Sequence, residues 1–177
     1  MKLDPISRRY FISNGFDGAL TLTGIAVGSY LSGVTSNPTV FKVAVGAAVG
    51  LATSGVWSVW EIERAEKLSE IDELEAKMMT DLEGTELEDR KMENRKMNSF
   101  MSGLGPVLGV VLPASFYLVP GLNTLQATIG AVFTAISMLF LFGVYMSRIS
   151  DQLWWKAGLR MGLAGIAAAV INVVLPG

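Results

Sequence analysis

Asp17 is the residue whose type and place could do most chemistry. It is the only charged residue in the apolar run from Tyr10 to Val34. It follows Arg9 by eight residues, about 12 Å along a helix at 1.5 Å per residue. An acid at that depth in lipid is costly when unpaired and is usually functional. A cation path or proton relay is the functional expectation. The alternative is a structural carboxylate that caps a neighbouring helix or pairs with Arg160. Asn14, Thr21 and Thr23 are spaced to add oxygens near it. Glu61 ends the second apolar run, where an acid can reach water.

A second group of carboxylates follows. Glu63, Glu66, Glu70 and Glu73 are spaced i, i+3, i+7, i+10, which puts them on one stripe of a helix, and Asp81 extends the line. Clustered carboxylates repel one another, and a bound cation relieves that repulsion. Oxygen ligands suit hard divalent metals, whereas thioethers suit softer ones. Met78, Met79, Met92 and Met97 lie in the same segment. The plainer alternative is a solvated helix with methionine as gap-filler, supported by the i,i+4 pairs Glu63–Lys67 and Glu73–Lys77. The chain has no cysteine and no histidine. A thiol nucleophile, an imidazole base, a disulfide framework and a Cys/His zinc site are therefore excluded.

These groups need helices in lipid to position them. The 177-residue chain is 51% hydrophobic and only 17% charged, against about 25% charged for a soluble domain. Residues 61–98 hold thirteen acids and seven bases; the remainder holds three acids and seven bases spread among long apolar runs. An ordinary soluble enzyme, a basic nucleic-acid binder and a disordered chain do not fit. A bilayer core about 30 Å thick needs about 20 apolar residues per helix. Five windows qualify, at roughly 10–34, 39–60, 100–119, 124–146 and 155–175. The third is interrupted by Pro106 and Pro113, tolerable where neighbouring helices satisfy the freed backbone. The first is too long for a secretory signal and lacks a small-residue cleavage site. Lys and Arg cluster at the N-terminus, in 61–98 and between the last two spans. The positive-inside rule then puts the N-terminus and the 61–98 segment in the cytoplasm and the C-terminus outside.

Leu68, Ile71, Leu74, Met78 and Leu82 repeat at helical spacing, so 61–83 is expected to be an amphipathic helix ending at Gly84. Thr85-x-x-Glu88 is a capping-box pattern for a returning helix. The expected organisation is two spans over 1–60, an acidic metal-binding helical insert over 61–99 and three spans over 100–177. Gly24-x-x-x-Gly28, Gly46-x-x-x-Gly50, Gly105-x-x-x-Gly109 and Gly158-x-x-x-Gly162 permit close helix contact within or between chains. Asn172 is expected to bond between helices. The fold class is thus all-α: a five-span transmembrane bundle with a cytoplasmic helical insert between spans two and three.

That layout, with Asn14-Gly-Phe-Asp17-Gly18-Ala-Leu-Thr21 and the closing run Trp155-Lys-Ala-Gly-Leu-Arg160-Met-Gly-Leu-Ala-Gly165, resembles the vacuolar iron transporter family. The resemblance implies an all-α homodimer that exchanges Fe2+ or Mn2+ for protons along the dimer interface. It makes Asp17 the intramembrane ligand, and the glutamates of the first cytoplasmic helix with Met78 and Met79 the cytoplasmic ligands. Ser54-Gly-Val-Trp-Ser-Val-Trp-Glu61 departs from that family's Ser-Met-x-x-Gly-Glu pattern: the Met is missing and the Glu displaced. The expected metal set is Asp17, Glu61, Glu63, Glu66, Glu70, Glu73, Met78 and Met79. No tightly bound cofactor, catalytic residue or nucleic-acid partner is expected. The expected setting is a prokaryotic cytoplasmic membrane. The alternative function is a non-transporting scaffold whose acidic helix pair docks a partner protein.

Overall fold

The computed structural model describes residues 4–79, 86–150 and 152–175. Five α-helices account for most of them, with no strand among the described residues: α1 Pro5–Leu31, α2 Asn37–Met78, α3 Glu86–Ala114, α4 Thr124–Ser150 and α5 Trp154–Val174. A 3-10 turn over Ser115–Leu118 closes α3.

Local chemistry explains the boundaries. Asp4 caps α1 by accepting the Ile6 N–H at 3.1 Å, and Pro5 occupies the first turn, where its missing N–H costs nothing. Gly33 takes φ +76 after α1, a conformation costly for a residue with a Cβ. At α4, the Asn123 side chain accepts from Gln126 N–H while the Gln126 side chain accepts from Asn123 N–H, a reciprocal cap. The turns that join α1 to α2 and α3 to α4 meet at one end. Asn37 donates to the Leu122 carbonyl and Thr124 to the Thr35 carbonyl.

Four stretches are long and apolar enough to cross a bilayer: α2, Asn94–Leu118, α4 and α5. α1 is not among them, because Asn14, Asp17, Thr21 and Thr23 dilute its apolar run. It packs instead against α3, α4 and α5. Its 27 residues are about 40 Å long, enough for a bilayer core of about 30 Å.

α2 is unbroken for 42 residues, about 63 Å, so it extends well beyond any membrane it crosses. It ends at Met78 rather than running to residue 83, because Met79 turns left-handed at φ 50. Leu82, Gly84, Thr85 and the proposed Glu88 cap contact lie outside what is described. The expected apolar stripe is only partly covered: Ile71 and Leu74 are half-buried, whereas Leu68 and Met78 are exposed.

At the turn end the first four helices close on small residues. Ala26, Ala44, Ala48, Ala114, Ala127 and Ala131 are buried around Leu22, Val40 and Val110. Such residues let helix backbones approach where lipid offers no hydrophobic drive for association. α3 packs against both α1 and α2, more extensively than those two pack on each other.

Candidate functional site

A cavity of about 280 Å³ opens between α1 and α2. Tyr10, Asn14 and Asp17 line it from α1, one face at i, i+4, i+7. Ser54, Gly55 and Ser58 line it from α2, and Pro106 of α3 reaches it from behind. Asp17 is exposed on this face and makes no hydrogen bond or ion pair among the described residues. The Arg160 pairing considered above is absent there. Thr23 does not contribute, because its hydroxyl is buried and donates to the Ala19 carbonyl of its own helix.

Glycines fix α1 against α3 behind the acid. A Cβ at Gly18 would lie 2.7 Å from the Pro106 carbonyl oxygen, a Cβ at Gly105 would strike the Phe11 carbonyl, and one at Gly109 the Gly15 carbonyl. The Gly105-x-x-x-Gly109 pattern is therefore an intrachain contact. Gly46 and Gly50 of α2 meet nothing within 4 Å.

Asn14 has a structural partner the sequence did not announce. Pro106 has no N–H, so the helical acceptor four residues earlier, the Ser102 carbonyl, lacks its usual donor. The Asn14 amide supplies one at 3.1 Å and also meets the Ser102 hydroxyl. A broken ladder in α3 is thus mended from α1, one turn from Asp17.

Glu63 does not line the cavity but stands behind Tyr10, which does. Its side chain is 2% exposed, and the Tyr10 hydroxyl donates to its Oε1 at 3.3 Å. Lys67 Nζ lies 4.0 Å from its Oε2 and 3.6 Å from Glu70, so it stands between two acids. Glu63 Oε2 accepts no hydrogen bond among the described residues, and Arg95 Nε and Ser99 Oγ are likewise buried without one. Arg95 stacks 3.8 Å over the Trp60 ring, one turn before Glu63 on α2. Each unsatisfied buried polar atom costs about 1–3 kcal/mol, so Glu63 Oε2 marks a place where a water, proton or ion is to be expected. Tyr10, which holds Glu63, and Asp17 are separated by about 10 Å of helical rise along the cavity.

The other expected ligands do not converge. Glu61, Glu66, Glu70 and Glu73 are exposed, and Glu73 pairs with Lys77 at 2.6 Å. Met78 and Met79 are exposed, the latter at 94%. Among the described residues no three acids stand together as a metal site. Asp81 lies outside them. Asn172 donates to Ala168 in its own helix at 2.8 Å rather than across helices, with its side chain against Gly24.

The sequence model of the VIT family, the vacuolar iron transporters, matches residues 57–175. The chain belongs to that family. It is a multi-pass integral membrane protein. The matched region covers Glu63, Arg95 and the three terminal helices; Asp17 precedes it. The chain is also similar to the uncharacterized protein MJ0645 of Methanocaldococcus jannaschii, 22% identical over 167 residues. That alignment covers 92% of this chain and 85% of the other.

Sequence reasoning missed Tyr10, Ser54, Ser58 and Arg95. The first three were legible in principle. Tyr10 precedes Asp17 by seven residues, and Ser54 and Ser58 are four apart on the facing helix. Arg95 carried no such signal, because its burial depends on where α3 meets Trp60.

Proposed function

We propose that this chain transports Fe2+ or Mn2+ out of the cytoplasm in exchange for protons, as a homodimer of five-span subunits. The observation that carries this reading is the unpaired carboxylate of Asp17 on a cavity that Tyr10, Asn14, Ser54 and Ser58 also line, with Tyr10 bonded in turn to the buried carboxylate of Glu63. Family membership supports metal-ion transport as the general activity.

The donors on this path are carboxylate, hydroxyl and amide oxygens, which suit hard divalent cations. One chain offers Asp17 alone at mid-path. A two-fold axis along the open α1–α2 side would bring a second copy of the same acid, since an isologous interface repeats every group. Gly46 and Gly50, unfilled and exposed on α2, favour close approach of a second copy there. Glu66, Glu70 and Glu73 attract metal to the cytoplasmic mouth. Lys67 serves as the resident counter-ion of Glu63, displaced toward Glu70 when metal arrives. Protonation of Asp17 after release returns the site empty, which couples the flux to protons. The N-terminus and the 61–98 segment are cytoplasmic and the C-terminus is outside.

The test is Mn2+ and Fe2+ flux into proteoliposomes with a pH dye inside. Asp17→Asn is expected to reduce both metal flux and the accompanying proton movement to the level of empty vesicles. Undiminished flux would remove Asp17 from the mechanism.

A second reading is a non-transporting scaffold whose acidic helices dock a partner, favoured by the exposure of Glu66, Glu70, Glu73 and Met79 on one chain. Titration calorimetry of the full protein with Mn2+ separates the two. A scaffold shows no micromolar affinity, and its Glu→Gln variants leave the titration unchanged.

A further inference from the structure

Two cavities are lined by α4, α5 and the turn between them, and neither shares a residue with the Asp17 cavity. The first, about 360 Å³, is mainly apolar: Ile136, Phe140 and Leu141 line it from α4, and Leu159, Leu163 and Ile166 from α5, with Gly162 between them. Phe140 packs against Gly158, where a Cβ would come within 2.7 Å of its ring. The leucines and Ile166 are exposed.

The second, about 640 Å³, lies at the last turn of α4. It is lined by Val144, Ser147, Arg148, Gln152 and Trp154. Leu141, Val144 and Arg148 follow i, i+3, i+7, so one stripe of α4 runs from the apolar cavity into this one. On α5, Trp154, Gly158 and Gly162 continue the facing stripe at steps of four.

The two cavities differ in character as the two ends of a lipid do. Arg148 is exposed and makes no ion pair among the described residues. Its guanidinium presents a planar fork that matches phosphate oxygens. Trp154 and Trp155 are half-exposed beside it, as amphipathic rings are at a membrane–water boundary. Lys156 and Arg160 add positive charge within the first two turns of α5. From Arg148 to Ile136 is about 18 Å of helical rise. One leaflet supplies about 15 Å of hydrocarbon plus the headgroup above it. A groove of one leaflet's length, apolar along its body and cationic at its end, complements a single anionic amphiphile.

We propose that this groove is a binding site for one anionic phospholipid, its phosphate held at Arg148 and Trp154 and one acyl chain laid along Phe140, Gly162 and Leu163. The site is independent of the metal reading, because it shares no residue with the Asp17 cavity.

The test is native mass spectrometry of the full-length protein from detergent, titrated with phosphatidylglycerol or phosphatidylcholine of equal chain length. Wild type should retain phosphatidylglycerol at least about tenfold better than phosphatidylcholine, a ratio that corresponds to one good charged contact. Arg148→Gln should abolish that preference and Arg148→Lys should largely keep it, which separates loss of charge from loss of fold. Leu163→Trp, which fills the apolar groove, should lower retention of both lipids. Glycerol phosphate, which has a phosphate and no chain, should not compete at equal concentration. Equal retention of the two lipids by wild type, or an unchanged preference in Arg148→Gln, would overturn the proposal. Full competition by glycerol phosphate would also overturn it by reducing the site to a phosphate pocket. The chain has no cysteine, so Leu163→Cys gives a single reporter. Efficient disulfide formation between two copies through that residue would assign the groove to a second chain instead.

Discussion

On the α3 side of α1, Gly15 and Gly18 let backbone meet backbone. On the α2 side, Tyr10, Asn14 and Asp17 front an open cavity. One face has no room for a methyl group; the other has room for a hydrated ion. The difference teaches how a costly acid can be held in place without a counter-charge. Asp17 needs no ion pair to fix it, because the helix that carries it is fixed from behind by glycine contacts and by the Asn14–Ser102 bond. Rigidity and chemistry are supplied by opposite faces of one helix.

The largest expected effect on stability comes from breaking the packed face. A Cβ at Gly109 would press on the Gly15 carbonyl, and neither backbone can yield easily. Gly109→Ala should destabilise the protein by about 1–3 kcal/mol, the usual cost of overpacking. Gly28→Ala is the matched control. Its Cβ meets nothing, so any shift should stay within about 0.5 kcal/mol in the single chain. Thermal unfolding in detergent checks both. Equal shifts would mean that the two faces of the bundle do not differ as described.

The bond between the faces comes next. Asn14→Ala leaves the Ser102 carbonyl without its donor, at about 1–3 kcal/mol. Pro106→Ala should restore the helical N–H and make Asn14 dispensable. A double-mutant cycle then gives a clear sign: the double variant should be more stable than the sum of the single changes implies. Additive changes would show that Asn14 does not answer the proline.

Tyr10→Phe is expected to matter less to stability and more to transport. It removes a long hydrogen bond of 3.3 Å, worth about 0.5–1.5 kcal/mol. Glu63 would keep Lys67 but lose its only hydrogen-bond donor among the described residues. Mn2+ flux should fall even where Tm moves little. A variant with unchanged flux would separate Glu63 from the pathway through the cavity.

Much of this was readable from the residues. Hydropathy located the four stretches now seen as candidate spans, because apolar length is a property of composition alone. The i,i+4 pairs at Glu63–Lys67 and Glu73–Lys77 also formed where the spacing placed them. What spacing could not give is depth. Glu63, Glu66, Glu70 and Glu73 share one stripe, yet Glu63 alone is buried, because Tyr10 crosses α2 at that level. Helical periodicity fixes the direction of a side chain but not which neighbour waits there. The same reason hid the role of Asn14, whose partner lies 88 residues away in a helix broken by proline. α1 was harder still. The polar residues that give it chemistry also lower its hydropathy, so its place rests on packing rather than on apolar length.

The smallest effect tests the outer end of α2 against its buried end. Glu73 and Lys77 form a close pair, but both side chains are about two-thirds exposed. Water screens such a pair, and holding two long side chains together costs entropy, so an exposed i,i+4 pair contributes only about 0.3–0.5 kcal/mol. Glu73→Gln should therefore shift Tm barely, whatever the protein does. Its value lies in a second readout. If the stripe gathers cations for the cavity, removing one charge lowers Mn2+ affinity and does so more at low salt, where surface charges are least screened. If the stripe is a solvated face or a docking surface, Mn2+ affinity stays unchanged at every ionic strength. Stability alone cannot separate these outcomes, because both leave the fold intact; the salt dependence of metal binding does, because only a field acting on the ion changes with screening.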